Sequence, residues 1–395
     1  MNRHRFPRWG LLAAALFAGA SAFCAAQAQP TTPEVVLSLV PEVPNPSLAP
    51  STPDTREPAA APLPPPPPAP LPPRPRLADY ALILPLDSAS YIHAAEAVRD
   101  GFLAAAEAAG AKDGVRVFGH VEGKAIEAFA AAEEINPRIY VGPLLRDDLR
   151  DLVKSERIPG TTLALNQLDD GIALPAQMYS LALAVESDAR VLVRRMRADN
   201  VQGVAIIQGS SPLAQRLASA FAAEWLLAGG NAPERYRFEP TTTSLGKLRE
   251  ELARSTANAA LVAVDGPSAA LARSFAPRIP AYASSLINID HDPAALGDLE
   301  GVIFVDMPWL VAPDGATLAR LPRKPYSNRV LDRLYAFGLD AFRVAHALST
   351  GVPSELDFDG ATGKVLLLSQ GRAMVREGTL AQFRRGHVVP ADAPR

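Results

Sequence analysis

One cysteine, Cys24, is all that the 395 residues hold. An internal disulfide and a thiolate metal cluster are therefore excluded, so burial alone must stabilise the fold even in an oxidising compartment. An excess of positive charge is missing too. Lysine and arginine number 39 against 42 aspartates and glutamates, a formal charge of −3, and without clustered basic residues the chain lacks the footprint that phosphate binding needs. Nucleic acid is thus not expected as a partner, and neither is a polybasic contact with a membrane. The common catalytic patterns are also absent: there is no G-x-S-x-G elbow, no H-E-x-x-H helix and no G-x-G-x-x-G turn. No cofactor is implied and the expectation is a protein that is not an enzyme.

Weaker chemical signals have plainer explanations. The run Gly360-Ala361-Thr362-Gly363-Lys364 lacks the four-residue spacer of a phosphate loop and the hydroxyl residue after the lysine, so it reads as a tight turn between strands. Asp290, His291 and Asp292 could ligate a metal, yet a polar triplet followed by Pro293 reads as a solvated loop. His93 and His120 show no obvious carboxylate or nucleophile partner nearby in sequence.

What is present starts with an export signal. Arg3, Arg5 and Arg8 precede an apolar run from Leu11 to Phe23 that is short for a bilayer span. Ala26-Gln27-Ala28 then supplies the small residues that signal peptidase requires, which places the mature start at Gln29 and the protein, soluble, in the periplasm. A lipid anchor on Cys24 is the competing reading; Phe23 and Ser21 stand where a lipobox wants a small residue and usually a leucine. Removing residues 1–28 takes away three arginines and no acid, so the formal charge moves from −3 to −6.

Between Pro30 and Pro75 fall 18 of the 38 prolines. Proline lacks an amide donor and fixes φ, so residues 29–76 are expected to be a disordered, extended spacer and not a packed domain. From Leu77 to the end the pattern becomes α/β. Short apolar runs (Ala81 to Leu84, Val115 to Val121, Arg138 to Val141, Thr162 to Leu165) alternate with helical stretches (Ala94 to Ala109, Ala125 to Ile135, Arg146 to Ser155). A second series follows Tyr179, with strands at Gly203 to Ile207, Tyr236 to Phe238, Ala260 to Val264 and Ala281 to Ser284. Its helices are Ser187 to Ala198, Leu213 to Ala228, Leu245 to Arg254 and Ser268 to Phe275. Two series over 77–395 predict two Rossmann-like lobes, discontinuous in sequence, the chain returning to the first near a long helix from Ser327 to Ser349.

Motifs at the strand ends carry a resemblance. They are Leu82-Ile83-Leu84-Pro85-Leu86 with Arg99-Asp100-Gly101-Phe102, Val141-Gly142-Pro143-Leu144, Thr162-Leu163-Ala164-Leu165-Asn166, Asp306-Met307-Pro308-Trp309, Tyr335-Ala336-Phe337-Gly338-Leu339-Asp340-Ala341 and Phe358-Asp359-Gly360-Ala361-Thr362-Gly363-Lys364. Together these resemble the LppC/LpoA group of penicillin-binding protein activators, whose C-terminal domain is like a type I periplasmic binding protein. Best-known members of that group are outer-membrane lipoproteins with a helical-repeat domain ahead of this one, where here a proline-rich stretch stands.

The resemblance implies a periplasmic regulator that binds a class A penicillin-binding protein and stimulates peptidoglycan synthesis. The alternative is a solute receptor for an amino-acid-like ligand serving an ABC transporter or sensor, its pocket lying between the lobes at the carboxyl ends of the strands. Candidate lining residues for such a small ligand are Ser88, Ser90, Leu144, Leu145, Asn166, Gln208, Asp265 and Ser284. The Leu144-Leu145 step counts against an amino-acid pocket, since related receptors place a hydroxyl residue soon after the Gly-Pro turn. Arg146 remains as a group that could recruit an anion.

Overall fold

A computed structural model describes residues 76–169, 171–275, 279–289, 296–351, 355–368 and 371–392. The export signal, the proline-rich stretch and the Asp290-His291-Asp292 triplet lie outside the described residues.

The first sheet has the order β2-β1-β3-β4-β5, all parallel. β1 (Tyr80–Leu84), β3 (Ile139–Val141), β4 (Thr162–Ala164) and β5 (Met178–Ser180) are buried throughout, as strands covered by helices on both faces must be. β2 (Val115–Gly119) is the edge strand and buries only Val115; it stops two residues before the expected Val121. Helices α1 (Ile92–Ala108), α2 (Ala125–Glu133) and α3 (Arg146–Lys154) complete the first series.

The second series is α4 (Val185–Ala198), β6 (Val204–Gln208), α5 (Pro212–Leu227), β7 (Glu234–Arg237), α6 (Thr242–Ala253), β8 (Ala259–Ala263), α7 (Gly266–Phe275), β9 (Ala281–Ser284) and β10 (Ile303–Asp306). Its sheet runs β15-β14-β10-β9-β8-β6-β7. β7 falls two residues earlier than the apolar pair Tyr236–Phe238 suggests. It is an edge strand, so its side chains need not be apolar, and Phe238 is buried just beyond it.

The chain crosses between lobes three times. After β5 it enters α4. After β10 it passes through a short helix α8 (Pro308–Val311) to α9 (Arg329–Thr350), which packs on α1 in the first lobe. The antiparallel ribbon β11 (Leu356–Asp359), β12 (Lys364–Leu367) and β13 (Val375–Glu377) follows, and its Ala361, Val365 and Leu367 join the first-lobe core. From β13 the chain returns to the second sheet as β14 (Thr379–Arg384) and β15 (His387–Pro390), both antiparallel. Gly360 N–H donates to Gly363 O at 2.8 Å, closing the tight turn expected of the Gly360-to-Lys364 run.

Candidate functional site

Buried charge gathers where the chain crosses between lobes. Arg333 of α9 donates from Nε and Nη2 to the two carboxylate oxygens of Asp306, at the end of β10, at 2.8 and 2.6 Å, and reaches the Asn288 carbonyl at 2.7 Å. Arg376 of β13 donates to Asp188 of α4 at 2.8 Å and to the Thr362 carbonyl at 2.7 Å. Burial pushes the Asp188 carboxyl up to about 6, against the opposing pull of Arg376. These pairs tie first-lobe elements to second-lobe elements, and removing one partner would strand the other's charge out of water.

Beside these ties, a shallow depression too narrow to hold a water molecule lies between the lobes. The first lobe supplies Arg146, Asn166 and Gln167; the second supplies Leu213 and Arg216 from α5. The start of α4, at Ala184 and Val185, closes one side. Asn166 is fixed by its own bonds, Nδ2 donating to the Leu144 carbonyl and Oδ1 accepting from Gln167 N–H, each at 2.9 Å. Arg216 Nε donates to Glu186 at 2.6 Å, and Gln167 Nε2 donates to the same carboxylate at 3.5 Å. Arg146, 8% exposed, donates to Asp169 at 3.5 Å, and the other oxygen of that carboxylate is held by Arg150 at 2.8 Å. Burial, reinforced by the charge of Arg216, pulls the Arg146 guanidinium below its ordinary value.

Of the eight residues named from sequence, only Asn166 lines this recess. Ser88 is buried, its carbonyl accepting from Tyr91 and Ile92 at the start of α1, while Ser90 is exposed. Leu144 and Leu145 belong to the first-lobe core. Gln208 ends β6 and accepts from Arg235 at 3.5 Å. Asp265 is exposed and accepts from Ser211 at 2.9 Å, and Ser284 is buried, its hydroxyl accepting from Leu286 N–H at 3.4 Å. Arg146 was legible from its place after the Gly-Pro turn. Arg216 and Glu186 were not, because each is an ordinary polar residue on a helix until the lobes bring them together.

The histidines also gain neighbours that sequence order hides. His120 Nδ1 lies 3.9 Å from Asp148, both side chains 2% exposed, and burial raises the Asp148 carboxyl. His93 lies 3.8 Å from Glu96 on the surface of α1. Among the described residues no three histidine, cysteine or acidic side chains gather as a metal site, and no helix is long and apolar enough to cross a membrane.

Comparison with known proteins places this geometry. The penicillin-binding protein activator LpoA of Mannheimia succiniciproducens is 28% identical over 277 residues, spanning 67% of this chain and 47% of its own length. LpoA of Edwardsiella ictaluri is 26% identical over 309 residues, 45% of its length. The chain thus spans about half the length of the curated relatives it matches. Among solved structures, the LpoA C-domain of Haemophilus influenzae, a regulator of PBP1A, superposes with a TM-score of 0.67 at 22% identity, over 79% of this chain and 99% of that one. A Chromobacterium violaceum protein assigned to branched-chain amino acid ABC transport superposes at 0.66 with 31% identity, over 78% and 100%. The family described as "LppC putative lipoprotein" matches residues 74–241 and 266–386, across both lobes, and the chain therefore belongs to the LppC family.

Proposed function

We propose that this protein is a non-catalytic periplasmic regulator that binds a class A penicillin-binding protein and stimulates its peptidoglycan synthesis, chiefly crosslinking. The observation that carries the reading is the extended similarity to proteins named penicillin-binding protein activators, which takes in both lobes. Its physical requirement is small. A regulator need only bind the synthase's active conformation better than the inactive one, and about 1.4 kcal/mol of difference is a tenfold bias. A platform whose two lobes are tied by Arg333–Asp306 and Arg376–Asp188 suits that task, since a surface held in one shape loses little entropy on binding. On this reading the protein works in the periplasm, with a lipid on Cys24 as the alternative arrangement. Crosslinking by candidate class A synthases, measured with and without the purified body from Leu77 onward, tests it. No stimulation of any of them rejects it.

The receptor reading has one observation in its favour, the Chromobacterium violaceum likeness. A receptor would enclose its solute between the lobes. The recess found there is small and partly open, and five of its nine lining residues are apolar, so it offers a polar ligand little to replace its hydration.

A further inference from the structure

Between α8 and α9 runs a strap, residues 312–328, anchored in both lobes. At its start Trp309 joins the first-lobe core and Val311 the second-lobe core, and Leu318 ties it again to the first. Pro313, Pro322 and Pro325 restrict its backbone, and Tyr335 of α9 donates to the Pro322 carbonyl at 2.8 Å. Its exposed side chains include Arg320, Arg323 and Lys324. The Arg323 guanidinium sits over the Trp309 ring, 3.8 Å from the ring centre, and donates to the Pro313 carbonyl at 2.9 Å. Arg320 ends a single 3-10 turn (Leu318–Arg320). Among the described residues neither arginine has a carboxylate partner, whereas Lys324 shares Asp100 of α1 with Arg99, at 2.9 Å, and with the Tyr326 hydroxyl, at 3.2 Å. Burial works against the charge on Asp100, but the hydrogen bonds from Lys324 and Arg99 prevail and hold its carboxyl below its ordinary value. That carboxylate is therefore fully engaged. Glu96 lies 3.7 Å from Arg99, and Asp314 stands exposed on the strap itself.

We propose that the strap is the docking face for an acidic, carboxylate-bearing protein surface, met by Arg320 and Arg323; that this surface belongs to the class A synthase rests on the regulator reading. A guanidinium already stacked and hydrogen-bonded loses little freedom on meeting a carboxylate, and its flat fork matches that group with paired bonds. The whole chain carries a formal charge of −3, so an acidic partner gains nothing from its average field. A local pair of free guanidiniums then decides which side approaches. An anionic membrane fits less well. A few cations hold a protein on lipid only with apolar side chains inserted beside them, and no large apolar side chain of the strap is exposed. Because the strap is anchored in both lobes, a partner seated on it meets them as one surface.

The test is the affinity of the full exported chain for purified class A synthases, measured by biolayer interferometry at low and at high salt. Arg320→Glu with Arg323→Glu should weaken binding about tenfold at low salt, and the difference should shrink as salt screens the charges. Arg323 also covers Trp309, so Arg320→Glu alone, on a side chain at the surface, keeps the test free of folding defects and should still weaken binding severalfold. Arg249→Glu, at an exposed position of α6 in the second lobe, makes the same change of charge elsewhere and should leave binding unaltered. Vesicles of phosphatidylglycerol are the rival surface and should not retain the chain. If the unmodified chain binds no synthase, the regulator reading fails and this inference with it. If it binds and Arg320→Glu changes nothing, or Arg249→Glu weakens binding equally, the strap alone is overturned as the docking face. Capture by the vesicles that the two reversals abolish, with synthase binding untouched, overturns it too.

Discussion

Gly101 of α1 and Gly338 of α9 lie against each other's helix so closely that the backbones touch. A Cβ built on Gly101 would stand 2.0 Å from the Tyr335 carbonyl oxygen, and one on Gly338 would stand 2.1 Å from that of Val98. The first-lobe core forms around this crossing, with Phe102, Phe337 and Phe342 beside it. Gly338→Ala should therefore destabilise the body by about 2 kcal/mol or more, because neither helix can retreat without opening the core. Urea unfolding of the variant measures this. Gly246→Ala, where a Cβ meets nothing within 4 Å inside α6, should be neutral or stabilising and serves as its control.

Asp340, on α9 against the Gly360 turn, and Lys364, at the end of that turn, make a second contrast. Asp340 is wholly buried and accepts from Ala361 N–H at 2.9 Å and from both the amide and the hydroxyl of Thr362 at 2.7 Å. Asp340→Ala leaves three buried donors unpaired and should cost about 3 kcal/mol. Lys364 is exposed and paired only with Asp357, across the ribbon, at 3.0 Å. Lys364→Ala should leave folding and activity unchanged. Loss of a nucleotide affinity shown by the unmodified protein would instead restore the phosphate-loop reading.

Stability should depend on pH through Asp188. Burial raises its folded-state pKa to about 6, above its value in the unfolded chain. Between those values the folded protein holds a proton that the unfolded chain has already released. Its contribution is therefore greatest in acid, and falls as pH rises through about 6. Asp188→Asn should flatten that part of the curve. A stability profile between pH 4 and 7, from chemical denaturation of both proteins, carries the comparison; a steeper fall in the variant would contradict it.

Much of the fold was legible because its signals are local. β1 is a continuous apolar run, and α1 and α9 carry helical periodicity, so burial on both faces follows from sequence. β14 and β15 were not, since β14 is half-buried at four of its six positions, β15 is half-buried or exposed throughout, and the pairing of β14 with β10 joins residues far apart in the chain. The site was less legible still. Asn166 stands after a strand, where a binding residue is sought, but the Arg146–Arg216 approach exists only once α3 and α5 come from different lobes to one recess.

The export signal makes its own prediction. Ala26-Gln27-Ala28 places cleavage before Gln29, so intact-mass measurement of the protein from periplasmic extracts should give a chain that starts there without lipid. A diacylated Cys24 would show membrane anchoring instead.

The regulator and the receptor differ most in what the lobes must do. A transport receptor closes on its solute, which requires the lobes to rotate about the three crossings, and here two of those crossings hold buried ion pairs, Arg333–Asp306 and Arg376–Asp188. Rotation would strain both pairs, and a small ligand in a shallow recess returns too little to offset that. The body is therefore expected to capture a class A penicillin-binding protein while showing no tight affinity for free amino acids. Small-angle scattering should show the same dimensions with and without a panel of amino acids, and a pull-down should retain the synthase. Micromolar affinity for an amino acid, a contraction of the body on binding it, and no synthase captured would together replace the regulator with the receptor.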